Sequence, residues 1–183
     1  MLLRKAGRGH EAAFCELFAR YQRRIYQYAS RMCGSAAAED IVQETFLAVL
    51  KPGAFDSSRG TVAGYLFGIA RHQVVKHLKN RDMLMEPSDP RALNIAASQD
   101  TQIETVVRQQ AVSAVRAAVQ SLPPIYREVV VLCDLEELDY ATVAEVIDCP
   151  IGTVRSRLHR ARSMLVTTLT ADSCDNELGR NRG

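Results

Sequence analysis

The chain has 183 residues, 47% of them apolar, with no tryptophan and few other aromatics. That length admits one ordinary domain or two small ones, and the composition suits small helical units better than a β-sandwich. The formal net charge is only +2, which excludes wholesale coating of nucleic acid, so any such contact must come from local patches.

The pattern predicts two helical blocks flanking a linker. In the first block, from about His10 to Asp82, Phe14, Leu17, Phe18, Tyr21, Ile25, Tyr28 and Met32 recur at steps of three and four and make one apolar stripe. Gly34 suits the position just past that helix. Ser35 is placed to cap a second helix, with Glu39 and Asp40 near its positive end. That helix should bury Val42, Phe46, Val49 and Leu50 and stop at Pro52-Gly53. A loop from Phe55 to Thr61 leads into a third helix, about Val62 to Lys79, whose apolar side is Leu66, Ile69, Ala70, Val74 and Leu78. From Met83 to Gln102 the chain carries Pro87, Ser88, Asp89, Pro90 and Asn94 without a clean period, and reads as a flexible linker.

The second block runs from about Ile103 to Leu169. Ser121-Leu-Pro-Pro124 marks a helix start, since proline is tolerated in a first turn. Asp139 can cap the next helix, which buries Tyr140, Val143, Ala144 and Ile147. Asp148-Cys149 turns the chain and Pro150 opens the final helix. The expected division is all-α: residues 1–82, a linker over 83–102, residues 103–170, and a polar, disordered tail over 171–183.

Five cysteines (Cys15, Cys33, Cys133, Cys149 and Cys174) form no C-x-x-C pair. An odd, scattered set argues against a disulfide framework and a structural zinc, and for reduced thiols packed as small hydrophobes. No metal or cofactor is expected. No apolar run approaches the roughly 18 residues of a membrane span, and Met1 to Gly9 lacks the apolar core of a signal peptide. The expectation is a soluble, cytoplasmic protein. The four histidines (His10, His72, His77 and His159) have no carboxylate at useful spacing, and no phosphate loop or nucleophile motif occurs, so no catalysis is expected.

At about 100° per residue, Val154, Leu158, Ala161 and Leu165 share the inward face of the final helix. Ser156, His159, Arg160 and Ser163 lie opposite, with Arg155 beside them. Gly152 to Met164 holds four arginines and no acid. One apolar side and one cationic, hydrogen-bonding side suit a helix that enters a DNA major groove. The preceding segment carries Glu136, Glu137, Asp139, Glu145 and Asp148, and that acidic face should turn away from phosphate, toward Arg157 or Arg162.

Leu122-Pro-Pro-Ile-Tyr-Arg-Glu-Val129, Tyr140-Ala-Thr-Val-Ala-Glu145 and Gly152-Thr-Val-Arg-Ser-Arg-Leu-His-Arg-Ala-Arg162 together resemble region 4 of extracytoplasmic-function (ECF) sigma factors. The resemblance implies a −35 reader. Carried over by position, Arg155, Ser156, His159 and Arg160 face bases, the same four that the angular argument selects. It also implies that Thr153 and the first-turn amides hold phosphate. Thr142 departs from the usual glutamate, and Asp148 from a frequent glycine, although aspartate tolerates left-handed geometry.

Ala38-Glu-Asp-Ile-Val-Gln-Glu-Thr-Phe-Leu47 resembles region 2.2 of the same family, which implies docking on the clamp coiled coil of RNA polymerase through Asp40, Gln43, Glu44 and Leu47. The segment Phe55 to Arg71 resembles regions 2.3 and 2.4. By that resemblance Asp56, Ser57, Ser58, Arg59, Gly60 and Thr61 form the loop that captures a base flipped from the melted −10 element. Tyr65, His72, Lys76 and Lys79 fall on one face at steps of seven, four and three, and an aromatic followed by cations suits single-stranded DNA. The family mostly has tryptophan at Tyr65 and asparagine at His72. Tyr65 is therefore open to two roles, base stacking and core packing.

About 20 extended linker residues reach at most roughly 66–70 Å, and two elements about 17 base pairs apart lie roughly 58 Å apart. Both blocks could then grip a promoter at once, which lets two weak modules select a site. The resemblance implies a sigma subunit bound to core polymerase (clamp coiled coil and flap) and to promoter DNA, held inactive by an anti-sigma factor. A different helix-turn-helix regulator would explain the second block but leave the first unexplained.

Overall fold

A computed structural model describes the backbone of residues 2–51, 60–84 and 103–180, and the side chains of residues 2–51, 60–81 and 109–171. Asp56, Ser57, Ser58 and Arg59, most of the expected linker and the side chain of Cys174 lie outside the described residues. Among the described residues every element is helical. The first domain comprises α1 (Leu2–Ala6), α2 (Glu11–Cys33), α3 (Ser35–Val49) and α4 (Val62–Leu84). The second comprises α5 (Ile103–Ser121), α6 (Pro124–Val130), a π turn (Val131–Leu135), α7 (Tyr140–Ile147) and α8 (Ile151–Arg180).

Local chemistry sets most of these boundaries. The Gly34 amide donates back to Ser30 at the end of α2, with φ at 90°, a conformation that costs a glycine little. Gly34 also stands as the N-cap of α3, so Ser35 is the first helical residue and makes no side-chain cap, contrary to expectation. Pro124 opens α6 as predicted. Asp139 caps α7 by accepting from the Thr142 amide at 2.9 Å and from the Thr142 hydroxyl at 2.7 Å. Asp148 ends α7 in the left-handed conformation, φ 52° and ψ 60°. No proline interrupts the chain after Pro150, and α8 continues through Arg180, past Leu169 and into the expected disordered tail.

The core of α2 is Ala13, Leu17, Ile25, Tyr28, Ala29 and Met32. Phe18 is not inside: it packs against Phe46, ring centroids 4.8 Å apart, at the edge of the domain. Leu50 follows the last turn of α3 and Tyr140 is the first residue of α7, and both are exposed although the sequence pattern buries them. Phe67 is fully buried, its ring edge-on to Tyr28 at 5.7 Å.

The largest departure from expectation is between the domains. Buried apolar residues of both form one continuous cluster, with α4 packed on α7 and α2 against α6 and the π turn.

Candidate nucleic-acid interface

Three faces matter, and the first is on α8. Val154, Leu158 and Ala161 are buried at 0–2% exposure, while Leu165 is half-buried. Arg155, Ser156, His159 and Arg160 are all exposed on the other side. Thr153 is half-buried and its amide donates to the Pro150 carbonyl at 2.8 Å. Its amide is therefore committed within the helix, which leaves the hydroxyl as its group for a phosphate. The Ser156 hydroxyl donates to the Thr153 carbonyl at 3.0 Å, so its oxygen lone pairs face outward as acceptors.

Arg157 is half-buried, and Arg162 makes a forked ion pair with Asp134, 3.1 Å from Nε and 2.6 Å from Nη2. That pair raises the Arg162 guanidinium above its ordinary value. It ties α8 to the π turn. Asp134 thus takes the place of the acids expected to turn toward Arg157 or Arg162. Asp139 is a cap, Asp148 is a turn residue, and Glu136 reaches the first domain.

The second face is on α4. His72, Lys76 and Lys79 are exposed along one stripe, as their spacing predicts. Tyr65 is half-buried against the core, and burial raises its phenol above the usual value. It has both an inner and an outer side, consistent with each role left open by the sequence. Thr61 caps the helix start, its hydroxyl accepting from the Gly64 amide at 2.9 Å. Gly60, at φ 145°, and Thr61 are exposed.

The third face is on α3. Asp40, Gln43, Glu44 and Leu47 sit at steps of three, one and three and are all exposed, while Ile41, Val42, Thr45, Phe46 and Val49 turn inward. Leu47 is 56% exposed, an apolar residue among polar ones on a helix whose other side is fully used.

A fourth cluster is invisible in sequence. Glu128 on α6 is buried, and one of its oxygens accepts from the Tyr28 hydroxyl and from Arg71 Nε, each at 3.0 Å. Glu136, just after the π turn, has a side chain only 2% exposed. It accepts from Arg24 Nε at 3.3 Å and lies 3.5 Å from Arg31 Nη1. Its carbonyl accepts from Arg24 Nη2. Burial pushes the Glu136 carboxyl above the usual range, while Arg24 and Arg31 pull it back. Arg24 also stands over the Phe67 ring, 5.5 Å from its centroid.

No helix of the described residues is long and apolar enough to cross a membrane. Among those residues, no group of three or more His, Cys, Asp or Glu is placed to hold a metal ion.

Residues 17–83 match the family Sigma-70 region 2, and residues 113–165 match Sigma-70, region 4. The ECF RNA polymerase sigma-E factor of Escherichia coli strain K12 is 31% identical over 179 residues, covering 90% of this chain and 91% of that protein. The ECF RNA polymerase sigma factor SigE of Mycolicibacterium smegmatis is 32% identical over 162 residues, 87% of this chain. This chain spans only 63% of that second relative's length. Among solved structures, CnrH in complex with the cytosolic domain of CnrY superposes with a TM-score of 0.68 at 24% identity, covering 93% of this chain and 96% of that one. The sigma factor RpoE in complex with the anti-sigma factor NepR from Bartonella quintana gives 0.68 at 23% identity, covering 87% and 98%. At those identities the two structures establish a shared fold.

Proposed function

The chain belongs to the sigma-70 family, as an ECF RNA polymerase sigma factor, and from that premise we propose how its parts divide the work. The first domain, region 2, docks on the clamp coiled coil of core polymerase through Asp40, Gln43, Glu44 and Leu47. Exposed Leu47 among acids and an amide suits an arginine-rich partner helix. Region 2 also captures the melted −10 strand. Gly60 and Thr61, with Asp56, Ser57, Ser58 and Arg59 before them, supply the base pocket. Tyr65 stacks, and His72, Lys76 and Lys79 track phosphate.

The second domain, region 4, reads the −35 element in the major groove through Arg155, Ser156, His159 and Arg160, and contacts the polymerase flap. Thr153 contributes a hydroxyl to a phosphate. The factor catalyses nothing; it confers promoter choice and melting on the polymerase, in the cytoplasm. An anti-sigma factor that covers these faces holds it inactive, a reading supported by the related RpoE having been solved in complex with the anti-sigma factor NepR.

The observation that carries the −35 assignment is the division of α8: an arginine-rich face fully exposed above Val154, Leu158 and Ala161. The test is reconstituted transcription with core polymerase and a promoter fragment library. Arg155→Ala and Arg160→Ala should each weaken −35 selectivity by about 1–3 kcal/mol per base contact while core binding persists. Loss of core binding instead would show that α8 serves another purpose. Tight duplex binding by the isolated chain would favour a free-standing helix-turn-helix regulator.

A further inference from the structure

We propose that the basic end of α1, Arg4, Lys5 and Arg8 with Lys51 beside them, is a second grip of the first domain on promoter DNA, holding the sugar–phosphate backbone near the −10 element irrespective of its sequence. The inference rests on the assignment of the −10 strand to α4 above, and adds a surface that α4 does not include.

The build of α1 is the first support. Leu3 and Ala6 are 2% and 1% exposed and anchor the helix on α2. Arg4 and Lys5 in its last turn, and Arg8 just after it, are left outside and exposed. Gly7 lets the end of α1 close onto the end of α3, since a Cβ there would lie 3.2 Å from the Val49 carbonyl oxygen and 3.7 Å from that of Lys51. This approach adds exposed Lys51 to the other three cations. Among the described residues, none of the four pairs with a carboxylate.

Charge is the second. Arg4, Lys5 and Arg8 fall within five residues that hold no acid, and of the chain's 23 lysines and arginines the 20 others are outnumbered by 21 acids. A patch of this sign on an otherwise slightly acidic chain fits a polyanion. It has no aromatic ring to stack on a base, and α1 is too short to carry its arginines along a groove, so phosphate is the target. The docking face of α3 has the opposite sign, with Asp40 and Glu44 exposed. An arginine-rich polymerase helix that suits that face is repelled by this one, so the two take different partners.

Place is the third. Lys51 stands nine residues before Gly60, so the patch lies at most about 32 Å from the start of α4. At 3.4 Å per base pair that is about nine base pairs of DNA. A promoter held by its −10 element on α4 continues past that distance and can meet both surfaces.

The experiment uses the full-length chain with core polymerase and a labelled promoter fragment, and measures affinity across a salt series. The variant is Arg4→Gln/Lys5→Gln/Arg8→Gln, whose melting temperature checks the fold. Each contacted phosphate contributes about 0.7–0.9 to the slope of log affinity against log salt, so the slope should fall by about 2 and the variant should bind more than tenfold more weakly at about 0.05 M salt. The deficit should be equal on fragments whose bases flanking the −10 element are changed. Arg4→Lys/Arg8→Lys should keep the wild-type slope, and affinity for core polymerase without DNA should not change. Should the triple variant unfold, Lys51→Gln alone decides, with a slope lowered by just under 1. A wild-type slope in the folded variants overturns the proposal. Weaker core binding does so too, by assigning the patch to polymerase. A lower melting temperature with an unchanged slope would show that the cations only complement the helix ends. Absence of any promoter complex from wild type with core would instead refute the sigma reading, and the patch with it.

Discussion

Replacing Tyr28 with phenylalanine isolates one hydroxyl at the seam between the domains. The ring is fully buried and edge-on to Phe67, and phenylalanine keeps that packing. What goes is the 3.0 Å bond to Glu128 Oε1, an oxygen that also accepts from Arg71. A hydrogen bond to a charged group contributes about 1.5–3 kcal/mol. Glu128 keeps Arg71, which places the loss in the lower half of that range, at about 1.5–2 kcal/mol. For a urea slope of about 2 kcal/mol per molar, the unfolding midpoint should fall by roughly 0.75–1 M with the slope unchanged. Burial, and then Glu128, hold the Tyr28 phenol well above 10.0, so it remains a donor at neutral pH. The sign follows: its contribution is complete below the unfolded tyrosine value and declines as the pH rises beyond it toward the folded value. The wild-type advantage should therefore be constant from pH 7 to 9 and shrink at higher pH. Equal midpoints for Tyr28→Phe and wild type at pH 7.5 would refute this account of the seam.

Leu47→Asp should leave thermal stability unchanged, since the side chain is exposed and surface substitutions usually stay within ±0.5 kcal/mol. It should weaken core-polymerase binding by about tenfold or more in a titration of labelled chain, the effect of losing an apolar anchor worth over 1 kcal/mol. Cys33 and Cys133 are pushed up to about 11 by burial, so their thiolates are about 100-fold rarer than at 9.0. Iodoacetamide labelling read by mass spectrometry should mark exposed Cys15 long before either.

The parts legible in sequence are those governed by local rules. Helical periodicity alone separates Val154, Leu158 and Ala161 from Arg155, Ser156, His159 and Arg160. Cap chemistry places Asp139, and the tolerance of aspartate for left-handed geometry accommodates Asp148 at φ 52°. The same periodicity errs at edges, where Phe18, packed on Phe46 by one side, and Leu50 have the right spacing but stay exposed among the described residues. It overlooks α1, a single short helix whose Leu3 and Ala6 are buried. The Glu128 and Glu136 clusters are beyond any local rule. Tyr28 and Glu128 are 100 positions apart, and Arg24 and Glu136 are 112 apart. A carboxylate on an amphipathic helix looks solvated until a second domain supplies its arginines. The π turn sharpens the difficulty, because its i→i+5 bond from Glu136 to Val131 at 2.9 Å adds a residue to the helical register that periodicity assumes.

One departure from the family pattern acquires a reason in this packing. Position 142, usually glutamate, is threonine here, and it is 4% exposed against Gly64. A glutamate there would need two more heavy atoms in a space already at contact distance. Its charge would be buried three residues from Asp139 and three from the exposed Glu145, two like charges that add to the cost of burying it. Threonine avoids both costs: its hydroxyl donates to Asp139, completing the cap of α7, and its methyl meets the open face of Gly64. Gly64 and Thr142 are thus small on both sides of one contact. That contact brings α7 beside the start of α4, with the Glu145 carboxylate next to Gly60. Restoring the family glutamate should act as a wedge as well as a charge, and a chain that tolerated it without loosening α4 from α7 would show the closeness to be incidental.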